Sequence, residues 1–249
     1  MSELRTHASR TKHRIKAGIG RLGRRFQYPN DRITDLPIVF GNAMAKAGSH
    51  ILLQYLEGLS LFTPLIIGGP YPIRTITASG RKRSDEDVCS DLRRLRPGDI
   101  GWGYLPGKEI FICEIVGEGK INYFIYRDPR DKIISHIFYA MEIHESHAMR
   151  EYYLSLSSME ERVTATIKGV PSLIHNIRAS YESYLAWFDQ PDVLTISFED
   201  LVNRRKESLT RMIAHLERNN FTIPLEKTAA FEILNQSMSP ERSSTYRSG

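Results

Sequence analysis

Apolar residues in this chain form short continuous runs that alternate with helical patterns. The runs Pro37–Gly41, Ile121–Tyr126 and Val193–Phe198 are rich in β-branched and aromatic residues, which is typical of strands buried on both faces of a parallel sheet. Between the runs, Ser49–Leu59 and Ser172–Phe188 carry apolar residues at the three- and four-residue spacing of a helix. Strands that alternate with helices predict an α/β fold, a single domain with a central, mostly parallel sheet flanked by helices.

The rest of the chain supplies further predicted elements. We expect a loop over residues 68–98, with the charged stretch Arg81–Asp87 exposed to solvent. The remaining predicted elements are a strand at Ile100–Leu105, and helices at Pro106–Val116, from Pro129 to about His147, at 200–218 and at 225–236.

The composition is that of a globular protein. The chain has 249 residues, of which 41% are hydrophobic and 25% are charged. It has two cysteines, Cys89 and Cys113, which excludes a disulfide framework and a four-cysteine zinc site. No apolar run approaches the ~20 residues of a transmembrane helix, and no secretory signal is visible. We therefore expect a cytoplasmic location and no transmembrane segment.

Positive charge is concentrated at the start of the chain. The net charge is +5, but residues 1–25 contain eight Lys or Arg and one acid, so they carry +7 and the rest of the chain carries −2. We predict a basic arm over residues 1–30 and a separate domain over residues 31–249. The arm is expected to be a helix or a disordered, solvated terminus, with weak contact to an anionic membrane surface through residues 1–25 as the alternative. The expected function has no nucleic-acid partner. Nucleic-acid binding by the basic arm is a further alternative, and it predicts a steep salt dependence that disappears when residues 1–30 are deleted.

The loop after the first predicted strand has the components of an anion site. It reads Asn42-Ala-Met-Ala-Lys-Ala-Gly-Ser49 and leads into a helix for which Ser49 is a plausible N-cap. Gly48 permits close approach of the backbone to an oxygen, the helix start offers free N–H groups, and Lys46 adds a full charge. A Walker A loop requires Gly before Lys and Ser or Thr after it, so the order found here disfavours a Mg-dependent NTPase.

A second candidate anion site follows the strand Ile121–Tyr126. The segment reads Arg127-Asp-Pro-Arg-Asp-Lys-Ile-Ile-Ser135, and ligands of open α/β sheets collect at the carboxyl ends of strands. The guanidinium of Arg127 suits bidentate binding of a phosphate, and Ser135 adds a hydroxyl. A local salt-bridge cap formed by Arg127, Asp128, Arg130 and Asp131 is the alternative.

Together the two segments resemble the sulfotransferases that use 3′-phosphoadenosine 5′-phosphosulfate (PAPS). The family's loop Pro-Lys-Ser-Gly-Thr reads Ala45-Lys-Ala-Gly-Ser49 here, and its strand end Arg-Asp-Pro-Arg-Asp with a later helical Ser reads Arg127 to Ser135. Two weaker matches are Val193–Leu201, similar to a strand ending Tyr-Glu-Asp-Leu, and Thr245–Gly249, similar to Phe-Arg-Lys-Gly.

The resemblance implies a fold, a cofactor and a set of site residues. It implies a P-loop-like phosphate-binding loop after the first strand, PAPS as cofactor with the desulfated nucleotide PAP as product, and no metal. Lys46 would contact the bridging oxygen and act as a catalytic residue. The implied cofactor-binding residues are Lys46, Ala47, Gly48, Ser49 and His50 at the phosphosulfate, Arg127, Ser135, Arg247, Ser248 and Gly249 at the 3′-phosphate, and Phe198 at the adenine.

The chain departs from the family at the expected catalytic base. Many members have a His in a His-Leu-Pro segment, whereas the matching segment here is Gly103-Tyr-Leu-Pro106. Tyr104 is therefore a candidate catalytic residue, but a phenol with a pKa near 10 is a poor base at neutral pH. Another group, such as His50, Glu109 or a residue of His136–His147, is the first explanation. A second explanation is that Tyr104 only positions an acceptor that is already acidic. A third is that the chain binds the nucleotide without efficient turnover.

The function expected from these features is transfer of a sulfuryl group from PAPS to a hydroxyl or amine of a small-molecule or glycan acceptor. A PAP(S)-binding protein with little activity is the alternative, and a nucleotide kinase is a third possibility. The oligomeric state is not predicted. Candidate residues for the acceptor pocket are Tyr71, Trp102, Phe138, Tyr139, Met141, Tyr152 and Tyr153.

Overall fold

The computed structural model describes residues 18–24, 26, 28, 33–68, 72–77, 80–239 and 241. These residues form a six-stranded sheet with strands β1 (Ile38–Ala43), β2 (Ile66–Ile67), β3 (Ile73–Arg74), β4 (Asp99–Tyr104), β5 (Lys120–Tyr126) and β6 (Val193–Ser197). The strand order is β2-β4-β1-β5-β6, and β3 pairs with β4 beyond the end of β2. All of these pairings are parallel, which confirms the predicted sheet.

Helices flank the sheet on both faces. They are α1 (Ser49–Phe62), α2 (Asp85–Leu92), α3 (Glu109–Ile115), α4 (Pro129–Phe138), α5 (Arg150–Ser155), α6 (Met159–Lys168), α7 (Ile177–Glu182), α8 (Phe198–Asn203), α9 (Arg205–Arg218) and α10 (Lys227–Ser237). Short 3₁₀ helices occupy Ile33–Asp35 and Leu185–Trp187, and a π-helical turn, Tyr139–Ile143, continues from α4. None of the described helices is both long and apolar enough to cross a membrane.

The alternation of side chains along the central strands divides the core into two layers. Val39 and Ala43 of β1 face α1 and α8–α10, whereas Phe40 faces α2, α3 and Trp187. Phe124 of β5 belongs to the second layer with Phe40. A smaller apolar cluster lies among α4 to α6, beside the carboxyl ends of the strands. The single-domain α/β fold class is therefore as the pattern predicted.

Several predicted elements differ in extent from those observed. The stretch Arg81–Asp87, predicted to be an exposed loop, instead contains the start of α2. Ser84 caps this helix by accepting a hydrogen bond from the Asp87 N–H, and three acidic residues follow in its first turn. The predicted helix Ser172–Phe188 is reduced to α7 and a 3₁₀ turn, because Asn176 caps a helix that begins only at Ile177.

Helix boundaries near the sheet edge also differ. The helix predicted from Pro129 to about His147 leaves α-helical geometry after Phe138, where the π-helical turn begins. The helix predicted at 200–218 is two helices, α8 and α9, separated at Arg204 by a backbone conformation that is not helical.

Part of the basic arm packs against the domain. Residues 18–24 are helical, and the Arg21 guanidinium donates two hydrogen bonds to the fully buried carboxylate of Asp99 at the start of β4. Arg24 is buried and donates to the Pro64 carbonyl oxygen. It lies against Gly98, whose φ of 80° and lack of a side chain leave room for the guanidinium.

Asn42 connects β1 to the loop after β4. Its side-chain amide donates to the Leu105 carbonyl oxygen at 2.9 Å and accepts from the Leu105 N–H at 2.8 Å, and both residues are buried. Trp187 donates to the same carbonyl oxygen at 2.8 Å. These hydrogen bonds fix the backbone of Leu105, the residue after Tyr104. They therefore help to hold the Tyr104 side chain at the carboxyl end of β4.

We predict that Asn42→Ala destabilises the domain by about 2–3 kcal/mol, because the buried Leu105 N–H loses its acceptor while Trp187 still serves the carbonyl oxygen. The measurement is urea unfolding. Asn203→Ala, at an exposed asparagine, is the control and should change the free energy of unfolding by less than about 0.5 kcal/mol. Equal effects of the two substitutions would contradict the assigned role of Asn42.

Candidate functional site

Four candidate residues follow the carboxyl ends of adjacent strands. Lys46 follows β1, Arg127 follows β5, Phe198 follows β6, and Tyr104 ends β4. Because β1 pairs in parallel with both β4 and β5, and β5 pairs with β6, these ends lie along one edge of the sheet.

The loop between β1 and α1 is held in an unusual backbone conformation. Lys46 has φ 66° and Gly48 has φ 85°, both in the left-handed region. A Cβ atom at Gly48 would overlap the Phe198 ring, so the glycine is required by the backbone angle and by the close approach of that ring. The N-terminus of α1 has no side-chain cap, which leaves N–H donors at the helix start directed to the sheet edge.

Ser49 does not cap the helix, contrary to the sequence-based expectation. Gly48 occupies the cap position, and Ser49 is the first residue of α1. Its hydroxyl is buried and forms a 2.6 Å hydrogen bond with the Tyr104 hydroxyl. This bond joins the loop after β1 to the end of β4.

Arg127 bridges the two candidate anion-binding segments. Its guanidinium donates to the Lys46 carbonyl oxygen at 3.4 Å and lies 4.4 Å from the centre of the Phe198 ring. The Arg127 Nε is 3.7 Å from a Glu199 carboxylate oxygen and, within the described part of the chain, has no hydrogen-bond partner although it is buried. The Arg127 carbonyl oxygen accepts a 2.5 Å hydrogen bond from the Tyr181 hydroxyl, which fixes the backbone at the strand end.

The salt-bridge cap considered as an alternative forms only in part. Asp128 caps α4 by accepting from the Arg130 N–H at 2.8 Å, and it also pairs with the Arg130 guanidinium. These bonds hold the pKa of Asp128 at about 2. Arg127 is outside this cap, because its partners are Lys46, Phe198 and Glu199.

The Lys46 ammonium lies at the face of Tyr139, a residue of the π-helical turn. Its Nζ is 3.6 Å from the ring centre, a cation–π contact. Burial, and secondarily the positive charge of Arg127, lower the pKa of Lys46 to about 8. The two cations therefore lie within each other's field, and an anionic ligand between them would relieve that repulsion.

Tyr104 is unsuited to accept a proton. Burial raises the pKa of its phenol above 10, and the hydrogen bond to Ser49 and the field of Arg74 offset only part of that shift. The Arg74 guanidinium lies 5.4 Å from the centre of the ring, so Tyr104 is held between Ser49 and a cation.

Histidines surround Lys46. His50 lies in the first turn of α1 with part of its surface exposed to solvent, and the partial burial of its ring, followed by the charge of Lys46, lowers its pKa. His136 is the most shifted of the group, with a pKa lowered to about 4 by burial, His147, Lys132 and Lys46, in that order. The His147 Nδ1 accepts from the Met149 N–H at 3.1 Å, so in the neutral ring the proton is on Nε2.

The remaining candidates have varied environments. Ala47 is fully buried, Ser135 is half-buried in the second turn of α4, and Glu109 is exposed at the start of α3. Tyr71, Arg247, Ser248 and Gly249 lie outside the described residues. No group of three His, Cys, Asp or Glu that would hold a metal occurs among the residues the structure describes.

Of the residues considered for the acceptor pocket, Tyr139 lies against Lys46. Trp102 is buried in the core, and the Tyr153 hydroxyl is engaged in a buried hydrogen bond with Thr166 at 2.6 Å. Phe138 and Met141 are half-buried and Tyr152 is at the surface.

Sequence reasoning missed the contacts made by Tyr181 and Glu199. Tyr181 lies within the predicted helix Ser172–Phe188, and no local pattern indicates that its hydroxyl reaches the end of β5. Glu199 follows Phe198 in a motif that resembles one of the family, and this was the only signal for its position. Its carboxylate accepts from the Asp128 N–H at 3.2 Å, which links β6 to the start of α4.

We compared the chain with family models, with curated proteins and with solved structures. A scan against family models finds no match, and a search of curated proteins finds none either. Among solved structures, mouse sulfotransferase SULT7A1 complexed with PAP is similar with a TM-score of 0.53, 16% identity, and coverage of 84% of this chain and 68% of that chain. Retinol dehydratase in complex with androsterone and the inactive cofactor PAP is similar with a TM-score of 0.50, 14% identity, and coverage of 88% of this chain and 70% of that chain.

At this level of identity the similarity concerns the fold and not the residues of the site. The parallel sheet and the flanking helices agree with what the sequence resemblance implied. The chain therefore has the fold of the PAPS-dependent sulfotransferases.

Proposed function

We propose that this chain transfers the sulfuryl group of PAPS to a hydroxyl or amine of an acceptor, leaving PAP as the second product. The observation that carries the proposal is the contact between Arg127 and the Lys46 carbonyl oxygen at adjacent strand ends. One nucleotide with phosphates at its 3′ and 5′ positions provides anions for both cations.

The proposed roles follow from the position of each side chain. Lys46 and the N–H groups at the start of α1, with Ala47, Gly48 and Ser49, bind the phosphosulfate. Arg127 and Ser135 bind the 3′-phosphate, where the Nε of Arg127, which has no hydrogen-bond partner among the described residues, supplies a donor. Phe198, held between Gly48 and Arg127, presents its ring to the adenine.

In the transfer step a bond forms between the acceptor oxygen or nitrogen and sulfur, and the bond between sulfur and the bridging oxygen of PAPS breaks. Negative charge develops on the leaving phosphate, where the Lys46 ammonium stabilises it. The proton of the acceptor passes to a base of the protein. No metal ion is required by the residues assigned here.

We assign the base to His50. Tyr104 is excluded by its raised pKa, and the Nδ1 of His147 is occupied by a backbone N–H. His136, with a pKa of about 4, is a weaker base than His50. His50 is neutral at pH 7, because its pKa is lowered from an ordinary value near 6.5. It also adjoins the loop that carries Lys46.

A PAP(S)-binding protein without efficient transfer is the second candidate. It is favoured by one observation: Tyr104 occupies the position where the resemblance implies a base, and its hydroxyl is bonded to Ser49. The two candidates share cofactor binding and differ in turnover.

The experiment that tests the proposed function measures transfer from labelled PAPS to a panel of phenols, alcohols, amines and sugars. We expect sustained turnover that falls about 10²–10³-fold in Lys46→Ala, because the leaving phosphate loses its cation. Lys168→Ala, at an exposed lysine on α6, is the matched control and should retain full activity. Tight binding of PAP without turnover on any acceptor would support the binding protein instead, and binding of ATP·Mg in preference to PAP would exclude both.

The pKa of Lys46 predicts the pH dependence of the free enzyme. Lys46 must be protonated to act, so kcat/KM should fall as pH rises through about 8. Lys46→Arg keeps the charge at higher pH, so any remaining activity should lose this limb. The measurement is the pH–rate profile of both proteins, and an unchanged alkaline limb in the variant would show that another group titrates.

Substitution of His50 distinguishes it from Tyr104 as the base. We expect His50→Gln to lower kcat by about 10²–10⁴-fold, while Tyr104→Phe loses less than about tenfold because its phenol only positions Ser49. His175→Gln, at an exposed histidine, is the control. Full activity of His50→Gln with loss of activity in Tyr104→Phe would reverse the assignment.

A further inference from the structure

The helical residues near the start of the chain present an apolar face to solvent. Ile19, Leu22 and Phe26 are 67%, 59% and 80% exposed, respectively. Residues three and four apart lie on the same side of a helix, so these three side chains form one stripe, here named the outer stripe.

The same helix directs charged side chains inward. Arg21 bonds to the buried carboxylate of Asp99, and Arg24 is 5% exposed and reaches the Pro64 carbonyl oxygen. A helix on a soluble protein ordinarily buries its apolar side chains and exposes its charges. This helix has the opposite arrangement, and the ion pair with Asp99 holds the outer stripe away from the domain.

Positive charge accompanies the outer stripe. Apart from Arg21 and Arg24, six basic residues occur in residues 1–25 with a single acid, Glu3. They are Arg5, Arg10, Lys12, Arg14, Lys16 and Arg25. A cluster of four to eight Lys or Arg beside exposed apolar side chains is the combination that binds anionic lipid surfaces.

We propose that this segment docks the protein on an anionic membrane surface, with Ile19, Leu22 and Phe26 inserted at the level of the lipid headgroups. A second copy of the chain is a poor occupant, because its basic arm would carry the same charge. A nucleic acid would satisfy the charges but offers no partner for the aliphatic side chains of Ile19 and Leu22. An anionic bilayer satisfies both.

The docked orientation leaves the candidate site open. Asp99 begins β4 and Pro64 precedes β2, so the helix is attached at the amino ends of the strands. Lys46 and Arg127 lie beyond the carboxyl ends, at the opposite edge of the sheet. A protein docked in this way presents its site to the solution. The proposal does not depend on the proposed sulfuryl transfer.

The test is co-sedimentation of the full chain with vesicles of phosphatidylcholine alone and of phosphatidylcholine mixed with phosphatidylglycerol. We expect binding to the anionic vesicles, weakened by added salt, and little binding to the neutral ones. Leu22→Gln should reduce partitioning about tenfold, since it removes one apolar side chain from the membrane. Leu61→Gln is the matched control, because Leu61 is 66% exposed on α1 and outside the outer stripe.

A fluorescence variant provides an independent readout of insertion. Trp102 and Trp187 are both buried, so the added indole of Phe26→Trp should dominate any change on mixing with vesicles. We expect a blue shift with anionic vesicles. Equal partitioning of Leu22→Gln and the unsubstituted chain, absence of the blue shift, or binding to RNA in preference to the vesicles would overturn the proposal. So would a monomer–dimer equilibrium abolished by Leu22→Gln.

Discussion

The candidate site depends on two cations, Lys46 and Arg127, that the fold holds at one edge of the sheet. Lys46 and Arg127 follow neighbouring parallel strands, so the sheet brings them to one edge whether or not an anion is present. The pKa of Lys46 is lowered to about 8. Burial of the ammonium contributes most to this shift, and the positive charge of Arg127 contributes less. Glu199 is 3.7 Å from Arg127 and offsets part of the charge. A ligand with two separated phosphates would stabilise both cations.

The surrounding contacts serve to fix these two positions. The left-handed backbone at Lys46 and Gly48 turns the chain from β1 into α1, and Phe198 fills the space that a side chain at Gly48 would need. Tyr181 holds the carbonyl oxygen of Arg127. Since these contacts come from segments far apart in the sequence, the site is rigid only when the whole domain is folded.

The sequence predicted the sheet and the order of its motifs because both depend on local patterns. Apolar runs identify the buried strands, and parallel pairing then fixes the edge at which Lys46 and Arg127 meet. The bond between Ser49 and Tyr104 and the contact between Lys46 and Tyr139 join residues 55 and 93 positions apart, and no local pattern encodes them. The sequence indicated Ser49 as the N-cap of α1 because it stands at the start of the helical pattern. In the structure Gly48 is the N-cap, and the Ser49 hydroxyl bonds to Tyr104 instead. The start of α2 was missed because its first turn is acidic rather than apolar, although Ser84 was a readable cap.

The most direct measurement of the central claim is a crystal structure of the protein with PAP. We expect a single nucleotide to span the sheet edge, with its 5′-phosphate at Lys46 and the start of α1 and its 3′-phosphate at Arg127. A nucleotide bound elsewhere on the protein, or one that contacts only one of the two cations, would contradict it.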